Sequence, residues 1–154
     1  MKLIAILASA AFVLPALGQN TRRAEVFPGK DISAQISKLE ETSRSSGSGG
    51  ATLGDYKSHS VGLSVRRATG NAEVHAHFDD IFFVTGGTAT LISGGTVVDA
   101  QTGADGETRG SRIQDGTSQK IARDDVVHIP AGTPHQLIIS PGATFSAVVV
   151  KVKE

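Results

Sequence analysis

The chain has 154 residues, with 15 Lys plus Arg against 15 Asp plus Glu, so no surplus charge points it toward nucleic acid or an anionic membrane surface. It contains no cysteine, which removes disulfides, thiolate zinc sites and thiol nucleophiles together. A length of this order suits one domain with its own core, since typical domains hold about 100–150 residues.

Residues 1–18 read as a secretory signal peptide. Lys2 gives a positive start, Leu3 to Leu14 is an apolar run too short to span a bilayer, and Ala16 and Gly18 supply small residues near a cleavage point. The expected mature protein begins near Gln19 and is secreted or periplasmic. It is expected to be soluble and free of the membrane, because no second long apolar run follows.

Residues 19–55 are expected to form an arm, a helix and a flexible loop. The pattern predicts a helix over Asp31–Glu41, with Asp31 as its N-cap and Ile32, Ile36 and Leu39 in one narrow apolar stripe. That stripe suits either a sheet face or a partner subunit. Ser43–Gly50 reads as a linker by composition.

Residues 56–154 change to a period of two. His59, Val61, Leu63 and Val65 alternate with Ser58, Ser60, Gly62 and Ser64, which predicts a strand with one buried face. Further short strands are expected around Val74–His77, Thr88–Ser93, Thr96–Val98, Val126–Ile129, His135–Ser140 and Phe145–Val152. A Gly94-Gly95 turn, an exposed loop over Asp99–Gly110 and an Asp115-Gly116 hairpin signal punctuate them. Many short strands, frequent glycine turns and a single helix give an all-β class, an antiparallel sandwich or barrel.

The chemistry concentrates in Glu73–Gly87. In an extended strand His75 and His77 project to one side, and a short turn at Phe78-Asp79 would set Asp80 opposite His77. Asp79 is the alternative carboxylate, though its use would shift the following Ile81–Val84 register by one. Pro130-Ala131-Gly132-Thr133-Pro134 is a rigid turn that delivers a third imidazole, His135, to the head of another apolar strand. Three imidazoles and a carboxylate suit a divalent transition metal, whether Mn, Fe, Ni, Cu or Zn. His59 shares a face with Val61 and Leu63, so it is either an acid–base group inside the barrel or a packed structural histidine. Arg66-Arg67 either ends its strand in solvent or selects an anionic substrate.

These residues resemble the cupin superfamily. Its first motif, G-x5-H-x-H-x(3,4)-E-x6-G, is matched by Gly70, His75, His77, Asp80 and Gly87; its second, G-x5-P-x-G-x2-H-x3-N, by Asp124, Pro130, Gly132, His135 and Ile139. Gly70 stands one residue too close to His75, the gap before the carboxylate is two residues, Asp80 replaces Glu, and Asp124 and Ile139 replace Gly and Asn. The resemblance implies a small antiparallel jelly-roll barrel with one short N-terminal helix. It also implies a metal held by His75, His77, Asp80 and His135, with Asp80 a ligand or general base and His59 a proton relay. The implied functions are a metal-dependent oxygenase, isomerase or related lyase acting on a small oxygenated molecule, or a non-catalytic metal or ligand binder. A homodimer is the assembly that the resemblance suggests.

Overall fold

The protein is described by a computed structural model over residues 23–154; the leader expected over residues 1–18 lies outside the described residues. The first element, α1 (Gly29–Ser46), starts earlier and ends later than the apolar stripe predicts. Its N-cap is Pro28, which has no side-chain cap; the Pro28 carbonyl accepts the Asp31 and Ile32 N–H groups at 2.9 and 3.1 Å. Asp31 therefore acts in the first turn, where its charge faces the positive end of the helix, rather than as the cap.

The expected Ser/Gly linker is ordered structure. Ser43 is fully buried, and the Ser43 hydroxyl donates to the Glu40 carbonyl at 3.0 Å, while Thr42 donates to Lys38 and Leu39. Serine and threonine that return to helix carbonyls in this way lose little by being helical. Gly47 then takes φ +79, a left-handed stop that suits glycine, and its N–H closes on Ser43 at 2.8 Å. The chain passes at once into β1 (Ser48–Asp55), an edge strand paired with β2 (His59–Arg66). Gly49 lies beside Leu39, where the helix packs on the sheet. Ile32, Ile36 and Leu39 are half-buried, and α1 covers β1 and β2.

The remaining strands are β3 (Ala72–His75), β4 (Phe78–Ser93), β5 (Thr96–Val98), β6 (Gln101–Thr102), β7 (Glu107–Gly110), β8 (Arg112–Gln114), β9 (Thr117–Ala122), β10 (Val126–Ile129), β11 (His135–Ile138) and β12 (Phe145–Lys153). All ladders are antiparallel. One layer holds β1, β2, β12, the first half of β4, and β10; the other holds β9, the second half of β4, β11, β3, β7 and β6. The two layers are joined through β4, whose sixteen residues bend at Gly86-Gly87. Among the described residues the architecture is an all-β jelly roll with one helix, as the pattern of short strands predicts. Among the described residues no helix is long and apolar enough to cross a membrane.

Three local expectations fail for topological reasons. The turn after the histidine strand falls at Ala76-His77, not Phe78-Asp79, and β3 and β4 do not pair, because the chain crosses there from one layer to the other. Asp115-Gly116 likewise links β8, paired with β5, to β9, paired with β4, so it is a crossover and not a hairpin. The exposed loop over Asp99–Gly110 contains a true hairpin, β6–β7, whose second strand pairs with β3.

The core lies between the layers, built from Phe82, Val84, Leu91, Ile121, Ile129 and Phe145, among others. Register fixes which face of β2 looks inward. Lys151 pairs with both Ser60 and Asp80, and Val149 with both Gly62 and Phe82, so Ser60, Gly62 and Ser64 share the inner side with the core. Gly49 is opposite Val65, so Val61, Leu63 and Val65 lie on the outer side, which α1 covers. The buried face of β2 is thus buried by the helix, and its small polar face borders the interior.

Candidate metal centre

Glu73 and His75 stand two apart on β3 and so share a face. Asp80 opens the inward series Asp80, Phe82, Val84 on β4. His135 begins β11 after Pro130-Ala131-Gly132-Thr133-Pro134, and this turn is secured from two sides. The Gly132 N–H, from a residue with φ +74, donates to the His75 carbonyl at 2.8 Å. Asp79 accepts the Ala131 N–H at 2.7 Å and the His128 Nε2 at 2.8 Å. Asp79 therefore braces the turn from outside while Asp80 faces the imidazoles.

His75, His135 and Asp80 are only 6%, 5% and 3% exposed. His75 Nδ1 donates to Glu107 at 2.5 Å and His135 Nδ1 to the Thr133 carbonyl at 3.0 Å. With each Nδ1 committed, both rings turn Nε2 toward the same space. From His75 Nε2, Asp80 Oδ2 is 3.3 Å away and Glu73 Oε2 3.7 Å; His135 Nε2 is 3.9 Å from Asp80 Oδ2. One donor atom each from Glu73, His75 and His135 lies within 4.8 Å of the others. Ion–donor bonds of about 2.0–2.2 Å put neighbouring donors roughly 3–4 Å apart, so Glu73, His75 and His135 form a group that could hold a divalent cation, with Asp80 beside both imidazoles. A ligating histidine with its second nitrogen held by a carboxylate or carbonyl is the arrangement such sites require.

Electrostatics separates the two imidazoles. Burial pulls His75 down, but hydrogen bonds and charge from Asp80 and Glu107 outweigh it and hold the ring above its ordinary value. Burial dominates at His135 and pushes it down, so it stays neutral with a free Nε2 lone pair. Asp80 is raised by burial yet ends below the usual carboxylate range, because His75 and Lys151 both bind it, Lys151 Nζ donating at 2.6 Å.

Two expected site residues lie elsewhere. His77 occupies the exposed Ala76-His77 turn, its ring beside Gly106, and does not join the cluster; the crossover leaves no extended strand there to carry it to His75's side. His59 starts β2 on the outer face, stacked on Tyr56 at 4.7 Å, and does not border the interior cavity. His128 pairs with Asp79. Conversely, Glu73 and Glu107 are cluster members that sequence reasoning overlooked. Glu73 had a signal in its two-residue spacing from His75; Glu107 had none, since only the β3–β7 ladder brings it opposite His75.

The cluster borders a cavity of about 400 Å³. Glu73, Asp80, His135 and Lys151 line one part; Ser60, Gly62 and Ser64 line another. The space exists because β2 presents glycine and serine where a packed sandwich would place larger groups.

No protein-family model and no curated protein sequence matches the chain. In three dimensions it is similar to the DMSP lyase DddQ from Ruegeria pomeroyi, at 16% identity and a TM-score of 0.51 over 70% of this chain and 47% of that one. It is similar to the polyketide cyclase RemF from Streptomyces resistomycificus, at 17% identity and a TM-score of 0.51 over 70% of this chain and 66% of that one. A cupin superfamily sugar phosphate isomerase from Silicibacter pomeroyi matches at 20% identity and a TM-score of 0.49, over 71% and 61% of the two chains. The fold these comparisons share is the antiparallel jelly-roll barrel. At these identities the likeness is one of fold, and this chain spans about half the length of the lyase and just under two thirds of the cyclase.

Proposed function

We propose that this protein is an exported metal-dependent enzyme acting on a small oxygenated molecule, with His75, His135, Asp80 and Glu73 as the residues that hold the ion. The observation that carries the reading is the pair of buried imidazoles whose Nδ1 atoms are tied back to Glu107 and Thr133, leaving both Nε2 atoms beside two carboxylates. A bound divalent ion would supply Lewis acidity toward a substrate oxygen or a bound water. The chain's own groups do the rest. Glu107 and the Thr133 carbonyl fix the rings, and Lys151 keeps Asp80 ionised and turned inward. Lys151 also stands on the cavity wall, placed to hydrogen-bond an oxygen that gains charge. The similar lyase and cyclase structures agree with small-molecule chemistry in a barrel of this kind.

A binder without catalysis is the alternative, and one observation favours it. Glu73 pairs with Arg109, Asp80 with Lys151 and Glu107 with His75, so each cluster carboxylate already has a partner and none stands ready as a base.

Elemental analysis of the purified protein after expression in metal-supplemented medium tests the site. Near-stoichiometric Mn, Fe, Ni, Cu or Zn is expected, with most of it lost in His75→Ala and in His135→Ala. Full metal content in both variants would overturn the assignment. Oxygen uptake or product formation with small oxygenated substrates then separates enzyme from binder. Export is tested by the N-terminal sequence of the mature protein, expected near Gln19.

A further inference from the structure

We propose that the cavity selects an organic anion, whose acid group is held by Arg66 while another oxygen reaches the imidazole–carboxylate cluster. The proposal rests on the metal-enzyme or metal-binder reading above and names the ligand class for that site.

Around the cavity and its cluster the charges are paired, with one exception. Asp80 is matched by Lys151, Glu73 by Arg109, and Glu107 is engaged by His75. Arg66 is the exception. It closes β2 on the inner face and lines the same cavity as Asp80, His135 and Lys151, and its side chain makes no hydrogen bond or ion pair among the described residues. Its Nη1 lies close to Gly70, which also lines the cavity. The neighbouring Arg67 is spent differently, donating to Thr144 Oγ1 at 2.8 Å.

A half-buried guanidinium with five donors and no partner in the protein is well shaped for a carboxylate or phosphate. Any cation at the cluster would add positive charge to the cavity. Between Arg66 and the cluster, β2 offers Ser60 and Ser64 hydroxyls around Gly62, and Asn71 lines the same cavity. These are hydrogen-bonding groups for a ligand that bears hydroxyl or carbonyl oxygens along its length. The volume of about 400 Å³ suits a small metabolite and excludes a polymer chain held end to end.

The test is calorimetric titration of the metal-loaded protein with matched pairs: succinate against succinamide, malate against malamide, glucuronate against glucose. At least one acid is expected to bind about tenfold or more tightly than its neutral counterpart, and Arg66→Met to weaken that acid about 10- to 100-fold while leaving the neutral compound unaffected. Arg66→Lys should recover part of the loss. Circular dichroism and melting temperature establish that each variant is folded, and elemental analysis of the same samples establishes their metal content. A wild-type panel in which no acid outbinds its neutral partner overturns the proposal, as does an unchanged preference in folded Arg66→Met. Loss of the acid preference in Arg66→Met with full metal content supports it. Absence of metal from every sample, with the Arg66-dependent preference intact, would defeat the metal reading and leave the anion site standing.

Discussion

At the scale of single residues, the centre depends on groups that never face the cavity. Glu107 has no cue in its neighbourhood, yet its carboxylate sets which nitrogen of His75 is presented. We expect Glu107→Gln to lower metal affinity by about 10- to 100-fold with the fold intact, because a supporting partner of this kind is worth that much; equilibrium competition with a chromogenic chelator measures it. Asp79 shows the opposite case of a residue whose neighbourhood misleads. It looked like a rival ligand, but its hydrogen bonds to His128 and the Ala131 N–H hold its carboxyl below the usual range. A carboxylate depressed in the folded state contributes stability that is present above its unfolded value and lost as pH falls through the folded one. Asp79→Asn should therefore melt below wild type at neutral pH, and the gap should close as the solution is acidified below the ordinary aspartate range. A gap that persists unchanged in acid would show that Asp79 acts through something other than its charge.

Elements were legible where one period held and illegible where topology intervened. The alternation around Val61, Leu63 and Val65 announced β2, and the stripe of Ile32, Ile36 and Leu39 announced the helix that covers it. What alternation cannot say is which side of a strand meets the interior, and here α1 takes the apolar face while serine and glycine face the cavity. The long strand β4 reads in the sequence as two stretches, Ile81–Val84 and Thr88–Ser93, because Gly86-Gly87 breaks its pattern where it passes between layers. His77 was misplaced because a crossover and a hairpin share the same short turn signature. The bend makes a prediction about two glycines. A Cβ on Gly87, at φ +72, would overlap the Thr144 carbonyl oxygen, whereas one on Gly132, at φ +74, would meet open space. Gly132→Ala should cost about 1–2 kcal/mol from the left-handed backbone alone. Gly87→Ala should cost roughly twice that or more, since backbone must also shift. Chemical denaturation of the pair decides it, and equal costs would contradict the close approach.

For the molecule as a whole, the donor set is divided between parts of the fold that differ in how firmly they are held. Asp80 belongs to β4, flanked by β12 and β10 and continuous with the core. Glu73 and His75 belong to a strand of four residues, beyond which lie only β7 and the two-residue β6 at the sheet's margin. Short marginal ladders open with less free energy than central ones. Amide hydrogens of Glu73–His75 and Glu107–Arg109 should thus exchange sooner than those of Asp80–Val84, and zinc should slow the first group far more than the second. An ion seated here would then come and go by fraying at the β3–β7–β6 border, one half of its cage staying put while the other swings clear, so that its residence time is governed by a few backbone bonds at that margin.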